Sequence, residues 1–546
     1  MPSRFVPARF QAPLPHDQLV KSEQPGDEAV PMDVVVVGGG PAGLSLSIEL
    51  KKLAKAAGKD VEVAVLEKAE ELGQHSLSGA VVNPAPFREL FPDLRESDYP
   101  FRRRVDKEQV MVLTANRAIR IPTPPPMHNS GNYVASICEI VRWLGEKAEA
   151  AGVNLFAGYP VDSLLTEGER VVGVRTTPAG LKRDGSPGSN SSPPTDLAGQ
   201  VVALCDGTRS PLAQAWYGWQ KVSSPNPQIY ALGVKEIWET KKPLEHIVHT
   251  MGWPLGKKQF GGSFMYPLEP NLVAVGLVVG MDWPDNATDV HLLLQRMKLH
   301  PFFKPWFDGG ELVEWGAKTI PEGGFYALPQ RRVGDGLVVC GDAAGFVEVA
   351  SLKGIHYAMK SGIEAARAIW RGIESGDTSR QGLASYDAAV DASYIGSDMR
   401  KRRNMRLAFK SGFVFGGMKA GLMTLTGGAF PGGQIHVEED AKEARDVKAT
   451  EPFSPDGKIT FSKVDAVYKS GNATRDDIPS HLTVGSDVPP EVADLYVSMC
   501  PAGVYERDGD KLVVNAPNCI DCKATDVIGP RWQPREGGSG PRYKRM

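Results

Sequence analysis

The chain has 546 residues, 42% of them hydrophobic, with a net charge of -3 and a pI near 6.4. That length supports several domains of about 150 residues, each with ample core, and the lack of a basic excess argues against nucleic-acid binding. Six cysteines are too few for a disulfide framework; Cys138, Cys205 and Cys340 are scattered, whereas Cys500, Cys519 and Cys522 lie late, which points to a reducing compartment and a local metal or cluster site.

Residues 1–30 carry Pro7, Pro13, Pro15, Pro25 and mixed charge, and are expected to be a disordered or clamped arm. They show no apolar core of signal-peptide length, and Asp17, Glu23, Asp27 and Glu28 suit a transit peptide poorly, which favours the cytoplasmic face of a bacterial membrane over the matrix face of a mitochondrion. No apolar run approaches the roughly 20 residues of a spanning helix, so the chain is expected to be soluble or peripheral.

Val34-Val35-Val36-Val37 reads as a buried parallel strand. Gly38-Gly39-Gly40-Pro41-Ala42-Gly43 follows, then a helix over Leu44–Lys55 and a second strand, Val61–Glu67, which makes a βαβ start. Pro122–Pro126 is a rigid loop, Ile137–Ala151 a helix, and the Gly-, Ser- and Pro-rich stretch Gly180–Thr195 an exposed loop. Alternation over 230–280 predicts an inserted sheet domain. Gly336–Cys340 is another buried strand, followed by Gly341-Asp342-Ala343-Ala344-Gly345 and a helix from about Gly354 to Arg371. The last hundred residues form a loop-rich module.

Gly38-x-Gly40-x-x-Gly43 is a dinucleotide fingerprint in this context, between strand and helix, with Glu67 about 20 residues on. The first glycine permits the tight turn, the second lets backbone approach a pyrophosphate, and the third allows close helix–strand packing. The helix N-terminus offers N–H donors to the phosphates, and Glu67 offers its carboxylate to ribose hydroxyls. NAD and FAD share this pattern. Gly341-Asp342 after a late strand selects FAD, with Asp342 on the ribityl chain and the helix after Gly354 aimed at the pyrimidine edge of the flavin, where its dipole favours the reduced ring. Cys519-Ile520-Asp521-Cys522, with Cys500-Pro501 upstream, suits an iron–sulfur cluster or zinc, but supplies three ligands of the usual four.

With both ends read, the chain resembles the electron transfer flavoprotein–ubiquinone oxidoreductase family from about residue 33 to 543. The strings that carry the likeness include Gly79–Pro84, Gly233–Glu239, His249–Leu255, Gly261–Phe264, Lys353–Gly362 and Cys500–Glu506. The resemblance implies a two-dinucleotide-binding-type, Rossmann-like α/β FAD domain, an inserted α+β quinone-binding domain and a C-terminal ferredoxin-like module. The expected bounds are 1–30 for the arm, 31–225 and 321–400 for the FAD domain, 226–320 for the insert, 401–440 for a membrane-surface segment and 441–546 for the module. It implies FAD and a 4Fe-4S cluster as cofactors, reduced electron transfer flavoprotein and ubiquinone as partners, and monotopic attachment through Ile119–Met127 and Gly412–Phe430, with Arg400–Arg403 beside the latter. Gly261 and Gly262 are implied at the quinone, and Cys500, Cys519 and Cys522 at the cluster. The family's fourth cysteine is here Thr525, so Asp526 or Asp521 becomes a candidate ligand, and a three-iron cluster, a labile fourth iron or an empty site stay open. Cys205-Asp206-Gly207-Thr208-Arg209-Ser210 instead resembles the second fingerprint of aromatic-ring flavin hydroxylases, which keeps an FAD-dependent monooxygenase or reductase of a lipid-like substrate as one alternative. A flavin-binding paralogue with a docking module is the other.

Overall fold

The computed structural model describes residues 4–79, 81–351 and 353–546. The β-branched run becomes the strand Val30–Val37, at the centre of a nine-stranded sheet. Val63–Glu67 and then Asn154–Ala157 lie parallel on one side of it; Asp196–Leu204 lies parallel on the other side and carries Leu337–Val339. Arg170–Thr176 and Val161–Glu167 extend the sheet antiparallel beyond Asp196–Leu204. Val34, Val35 and Val36 are wholly buried, as strands covered on both faces demand. The helices Pro41–Ala56 and Ile355–Ser375 pack against each other over this sheet at very short range: a Cβ on Gly362 would sit 2.2 Å from the Ala42 carbonyl oxygen.

The inserted sheet is larger than the 226–320 segment alone. Its order is Glu311–Pro321, Tyr230–Glu239, Leu272–Gly280, Gly261–Glu269, Ile247–Gly252, Glu108–Leu113 and Ala118–Ile121. The last two strands come from before the insert, and Glu108–Leu113 joins in parallel to Ile247–Gly252. The helix Val290–Lys298 covers one face and buries the Lys298–Glu236 ion pair at 2.7 Å. The same apolar core continues without a break into the C-terminal module through Tyr496, Cys500, Cys519 and Ile528.

Three straps hold that module. The N-terminal arm is clamped, not disordered: Phe5 is buried, Arg4–Phe5 pairs with Arg445–Asp446, and Gln11 Nε2 donates to the carbonyls of Asp526 and Gly529 at 2.9 Å each. The stretch expected as an exposed loop is a hairpin, Ala179–Leu181 with Pro187–Ser192. The hairpin docks on the module, where the Gly180 N–H donates to Glu536 and the Arg183 N–H to Asp477. At the other end the Met546 carbonyl accepts from Ser136 Oγ and from the N–H groups of Ile137 and Cys138, so it caps the helix Ile137–Ala150.

Candidate functional site

One cavity of about 320 Å³ runs between the two sheets and the C-terminal module. Gly38, Gly40, Pro41, Ala42 and Glu67 line one end, and Gly341, Asp342 and Gly354 line the wall beside them, so residues far apart in sequence converge. Gly38 takes φ +109°, and a Cβ there would lie 2.4 Å from the Cys205 carbonyl oxygen. A Cβ on Gly43 would lie 2.2 Å from the Gly38 carbonyl oxygen, whereas one on Gly40 would meet nothing within 4 Å. The loop is therefore closed where chain meets chain and open at Gly40, which caps the helix Pro41–Ala56. Glu67 accepts from the Gly39 and Ala69 N–H groups at 3.0 and 2.9 Å, which fixes its carboxylate at the rim.

Gly341, at φ +61°, donates its N–H to Ser361 Oγ on the helix behind, and the turn leaves Asp342 facing the cavity. Burial pushes the Asp342 carboxyl up to about 6, against the pull of Lys318. Lys318, on the strand Glu311–Pro321, is pushed down to about 7 by burial and by Lys68 and Lys523. Sequence reasoning missed Lys318, Lys523, Trp532 and His75, which all line the cavity. Nothing local announces them, because strand pairing and module docking bring them in. Asp206 did carry a signal, the Asp-Gly turn; its Oδ1, with Ser78 Oγ and His75 Nδ1, is buried in the cavity wall without a partner. Unpaired polar atoms in a cavity wall are available to hydrogen-bond a ligand that enters it.

The cysteine turn is stitched to the same wall. The Cys522 carbonyl accepts from both Thr319 N–H and Oγ1, Lys318 Nζ donates to the Asp521 carbonyl, and Lys523 Nζ donates to the Thr208 carbonyl. Cys500, Cys519 and Cys522 are buried free thiols. Burial pushes all three up, Cys522 to about 12, so an arriving cation would have to displace their protons. Neither carboxylate named as a candidate fourth ligand is free. Asp526 binds Arg209 Nε at 2.9 Å and accepts from the Trp532 N–H. Asp521 binds Lys68 at 2.7 Å, Arg535 at 3.1 Å and Trp532 Nε1 at 3.0 Å; burial raises its carboxyl, but Arg535 and Lys68 outweigh this and hold it well below the usual range. Thr525 Oγ1 lies 2.6 Å from the Tyr505 hydroxyl and donates to the Pro530 carbonyl at 3.0 Å.

On the opposite side, Phe264, Tyr266 and Val278 bring the inserted sheet to the cavity. Gly261 and Gly262 begin the same strand but are not among the lining residues. Their missing side chains serve strand contact, since a Cβ would meet the Val278 carbonyl at 2.1 Å and the Thr250 carbonyl at 2.6 Å, respectively. The surface segment forms a helix, Phe413–Leu425, with Val414, Phe415, Met418, Leu422 and Leu425 exposed, the last by 85%, and Met423 buried beneath. Ile119 is also exposed. Among the described residues no helix is long and apolar enough to cross a membrane.

Residues 36–93 match a NAD(P)-binding Rossmann-like domain, 230–320 match the family described as ETF-QO, ubiquinone-binding, and 457–544 match electron transfer flavoprotein-ubiquinone oxidoreductase, 4Fe-4S. The mitochondrial electron transfer flavoprotein-ubiquinone oxidoreductase of Dictyostelium discoideum is 37% identical, over 96% of this chain and 93% of that protein; the human protein of the same name is 36% identical, over 96% and 90%. The chain belongs to the electron transfer flavoprotein–ubiquinone oxidoreductase family. Solved structures give the fold: a geranylgeranyl bacteriochlorophyll reductase-like protein from Thermoplasma acidophilum superposes with a TM-score of 0.58 at 19% identity, over 74% of this chain and 96% of that one, and a flavin-dependent brominase at 0.52 and 18%, over 73% and 94%.

The open Gly40 corner, the unpartnered Asp206 and Ser78 and the inward Asp342 fit the family's FAD. The C-terminal thiols fit an iron–sulfur cluster with three cysteine corners. They do not fit one that cysteine holds at all four.

Proposed function

We propose that this chain takes electrons from reduced electron transfer flavoprotein and delivers them through FAD to ubiquinone. The carrying observation is the shared cavity, whose walls are the glycine loop, the sheet matched as ubiquinone-binding and the cysteine turn of the module. FAD, when bound, supplies chemistry that takes up and releases electrons one or two at a time.

The chain's own residues position and tune it. The N–H groups of Gly40, Ala42 and Gly43 would hold the pyrophosphate at a helix N-terminus, where Pro41 at the first helical position has no N–H to contribute. Glu67 takes the ribose hydroxyls and Asp342 the ribityl chain. The N-terminal end of Ile355–Ser375, opening at Gly354, would offer its positive dipole end to the ring, and Lys318, which burial holds near 7, could take up a proton in the same cavity. The quinone head approaches along the strand that starts at Gly261 and Gly262, and meets Phe264, Tyr266 and Val278, which exclude water. Anaerobic reduction of a short-chain ubiquinone is expected with reduced electron transfer flavoprotein as donor and not with NADPH. Steady NADPH oxidation with oxygen uptake would instead favour the hydroxylase-type reading that Asp206-Gly207 invites.

The protein reaches quinone in the bilayer as a monotopic, peripheral protein, with the exposed face of Phe413–Leu425 in the interface and basic residues from Arg400 to Arg403 near the headgroups. A bacterial inner membrane, approached from the cytoplasm, or a mitochondrial one would serve equally; the similar proteins of slime mould and human carry the word mitochondrial in their names. Each large apolar side chain in lipid contributes on the order of 1.5–3 kcal/mol. Phe415→Glu with Leu425→Glu is therefore expected to lower partitioning onto anionic vesicles at least roughly a hundredfold, read by co-sedimentation, while reduction of a water-soluble quinone stays intact.

A further inference from the structure

The C-terminal module carries three cysteines, and the other three in the chain are committed elsewhere. Cys205 and Cys340 follow the adjacent parallel strands of the FAD-domain sheet, and Cys138 Sγ donates to the Ser76 carbonyl. A fourth thiolate is therefore not available to the cluster from within the chain.

The oxygens of Thr525, Asp526 and Asp521 are already in use. A hydroxyl has one proton and two acceptor positions. Thr525 gives its proton to the Pro530 carbonyl and receives one from Tyr505, while its own carbonyl is held by the Gly529 N–H at 2.7 Å. To bind iron it would have to break a buried hydrogen bond and lose a proton of high pKa, beside thiolates that outcompete it. Asp526 is turned to Arg209 and Asp521 to Lys68, Arg535 and Trp532, and stripping either leaves a buried cation unpaired.

Among the described residues, His75 and His481 both bring an unpartnered ring nitrogen near the turn; His75 Nδ1 faces Asp521 at 3.9 Å, and His481 is 3% exposed with neither ring nitrogen hydrogen-bonded. The His481 nitrogen, the Cys519 sulfur and an Asp521 oxygen lie within 4.8 Å of one another. That is too close for a separate corner, since ligands on different irons of a cube point apart along its diagonals. His481 therefore sits beside Cys519, on the same corner, and not at a corner of its own.

We propose that this module holds a three-iron, four-sulfide cluster, with one iron under each of Cys500, Cys519 and Cys522 and the corner beside Thr525 empty. The inference goes beyond the quinone-reductase reading and does not depend on it, because its readouts are composition and spectrum.

Full-length protein purified anaerobically with its FAD is expected to contain three irons and four sulfides per chain. Its oxidised form is expected to give the EPR signal of a half-integer-spin cluster, lost when dithionite adds one electron. Thr525→Cys is expected to bind a fourth iron and reverse the pattern, silent when oxidised and EPR-active when reduced. Wild-type protein that already shows four irons and the silent-when-oxidised pattern would overturn the proposal, as would protein without acid-labile sulfide. His481→Ala separates the remaining ligand: an unchanged iron count is expected, and loss of one iron would assign His481 to a corner and overturn the empty one. Should Thr525→Cys fail to fold, the wild-type spectrum and iron count still decide. Quinone reduction surviving in iron-free protein would leave the proposed function standing and remove this inference alone.

Discussion

Gly43→Val protein is expected to purify without flavin. An ideal Cβ at Gly43 lies 2.2 Å from the Gly38 carbonyl oxygen, 2.9 Å from Val36 Cγ1 and 3.4 Å from Cys205 Cβ, so backbone, strand and neighbouring turn all block it. The Gly38 carbonyl cannot yield easily, because the Gly38 N–H is tied to the Leu66 carbonyl at 2.8 Å and its own left-handed φ is already set by the approach of Cys205. The first turn of Pro41–Ala56 must then lift off the strand, and it takes the phosphate-facing N–H groups with it. Overpacking costs about 1–3 kcal/mol in stability, and each hydrogen bond to a charged phosphate contributes about 1.5–3 kcal/mol. Loss of two such bonds is expected to weaken FAD binding by roughly a hundredfold or more. The flavin-to-protein absorbance ratio after gel filtration measures it. Gly417→Ala, on the exposed helix Phe413–Leu425, is the control, since a Cβ there meets nothing within 4 Å and the residue lies outside the cavity. If Gly43→Val kept stoichiometric flavin, the cavity end at this loop would not be the pyrophosphate site.

What the sequence displayed of this site followed from how local each signal is. The glycine loop, Glu67 and Asp342 stand beside strands whose burial is written in Val34–Val37 and Leu337–Val339, and the structure brings them to one cavity. Helices at Pro41–Ala56 and Ile355–Ser375 were legible from their periodicity and their opening glycines. The partners added by long-range pairing were not. Lys318 enters through a strand whose register is set by Tyr230–Glu239, and Lys523 and Trp532 through docking of a module hundreds of residues away in the chain. Glu108–Leu113 stands outside every expected element and Ala118–Ile121 overlaps the expected membrane-surface stretch Ile119–Met127; their recruitment into the inserted sheet depends on a parallel partner no local pattern names. The hairpin at 179–192 was hidden because its Gly, Ser and Pro content describes a turn and not the anchors, Asp477 and Glu536, that hold it.

The same long-range logic makes Arg406→Leu the largest expected loss of stability. Arg406 is 3% exposed; its Nε donates to Glu322 at 2.7 Å, its Nη2 to Asp282 at 3.0 Å, and its guanidinium stacks 4.0 Å from the Phe260 ring centre. It thereby ties the segment leading into the exposed helix to the inserted sheet and, through Glu322, to the cavity wall. Removing one partner of a buried ion pair costs about 3–5 kcal/mol because the charge left behind has lost both water and counter-ion. Here two carboxylates are left, and only Asp282 keeps a cation, Lys410 at 2.8 Å. The pH dependence distinguishes this from simple loss of packing. In the wild type, burial raises the Asp282 carboxyl, but Arg406 and Lys410 outweigh it and hold it below its usual range, so the pairing contributes stability above the unfolded value and loses it as pH falls. Burial already raises Glu322 despite Arg406. In Arg406→Leu both folded-state values rise. A carboxyl raised in the fold destabilises it at neutral pH, and the penalty shrinks as pH falls, because the folded form then binds the proton first. Urea midpoints are thus expected to show a large deficit near pH 7 that narrows toward about pH 5. An equal deficit at both would mean that Arg406 acts through its packing on Phe260 and not through its charge.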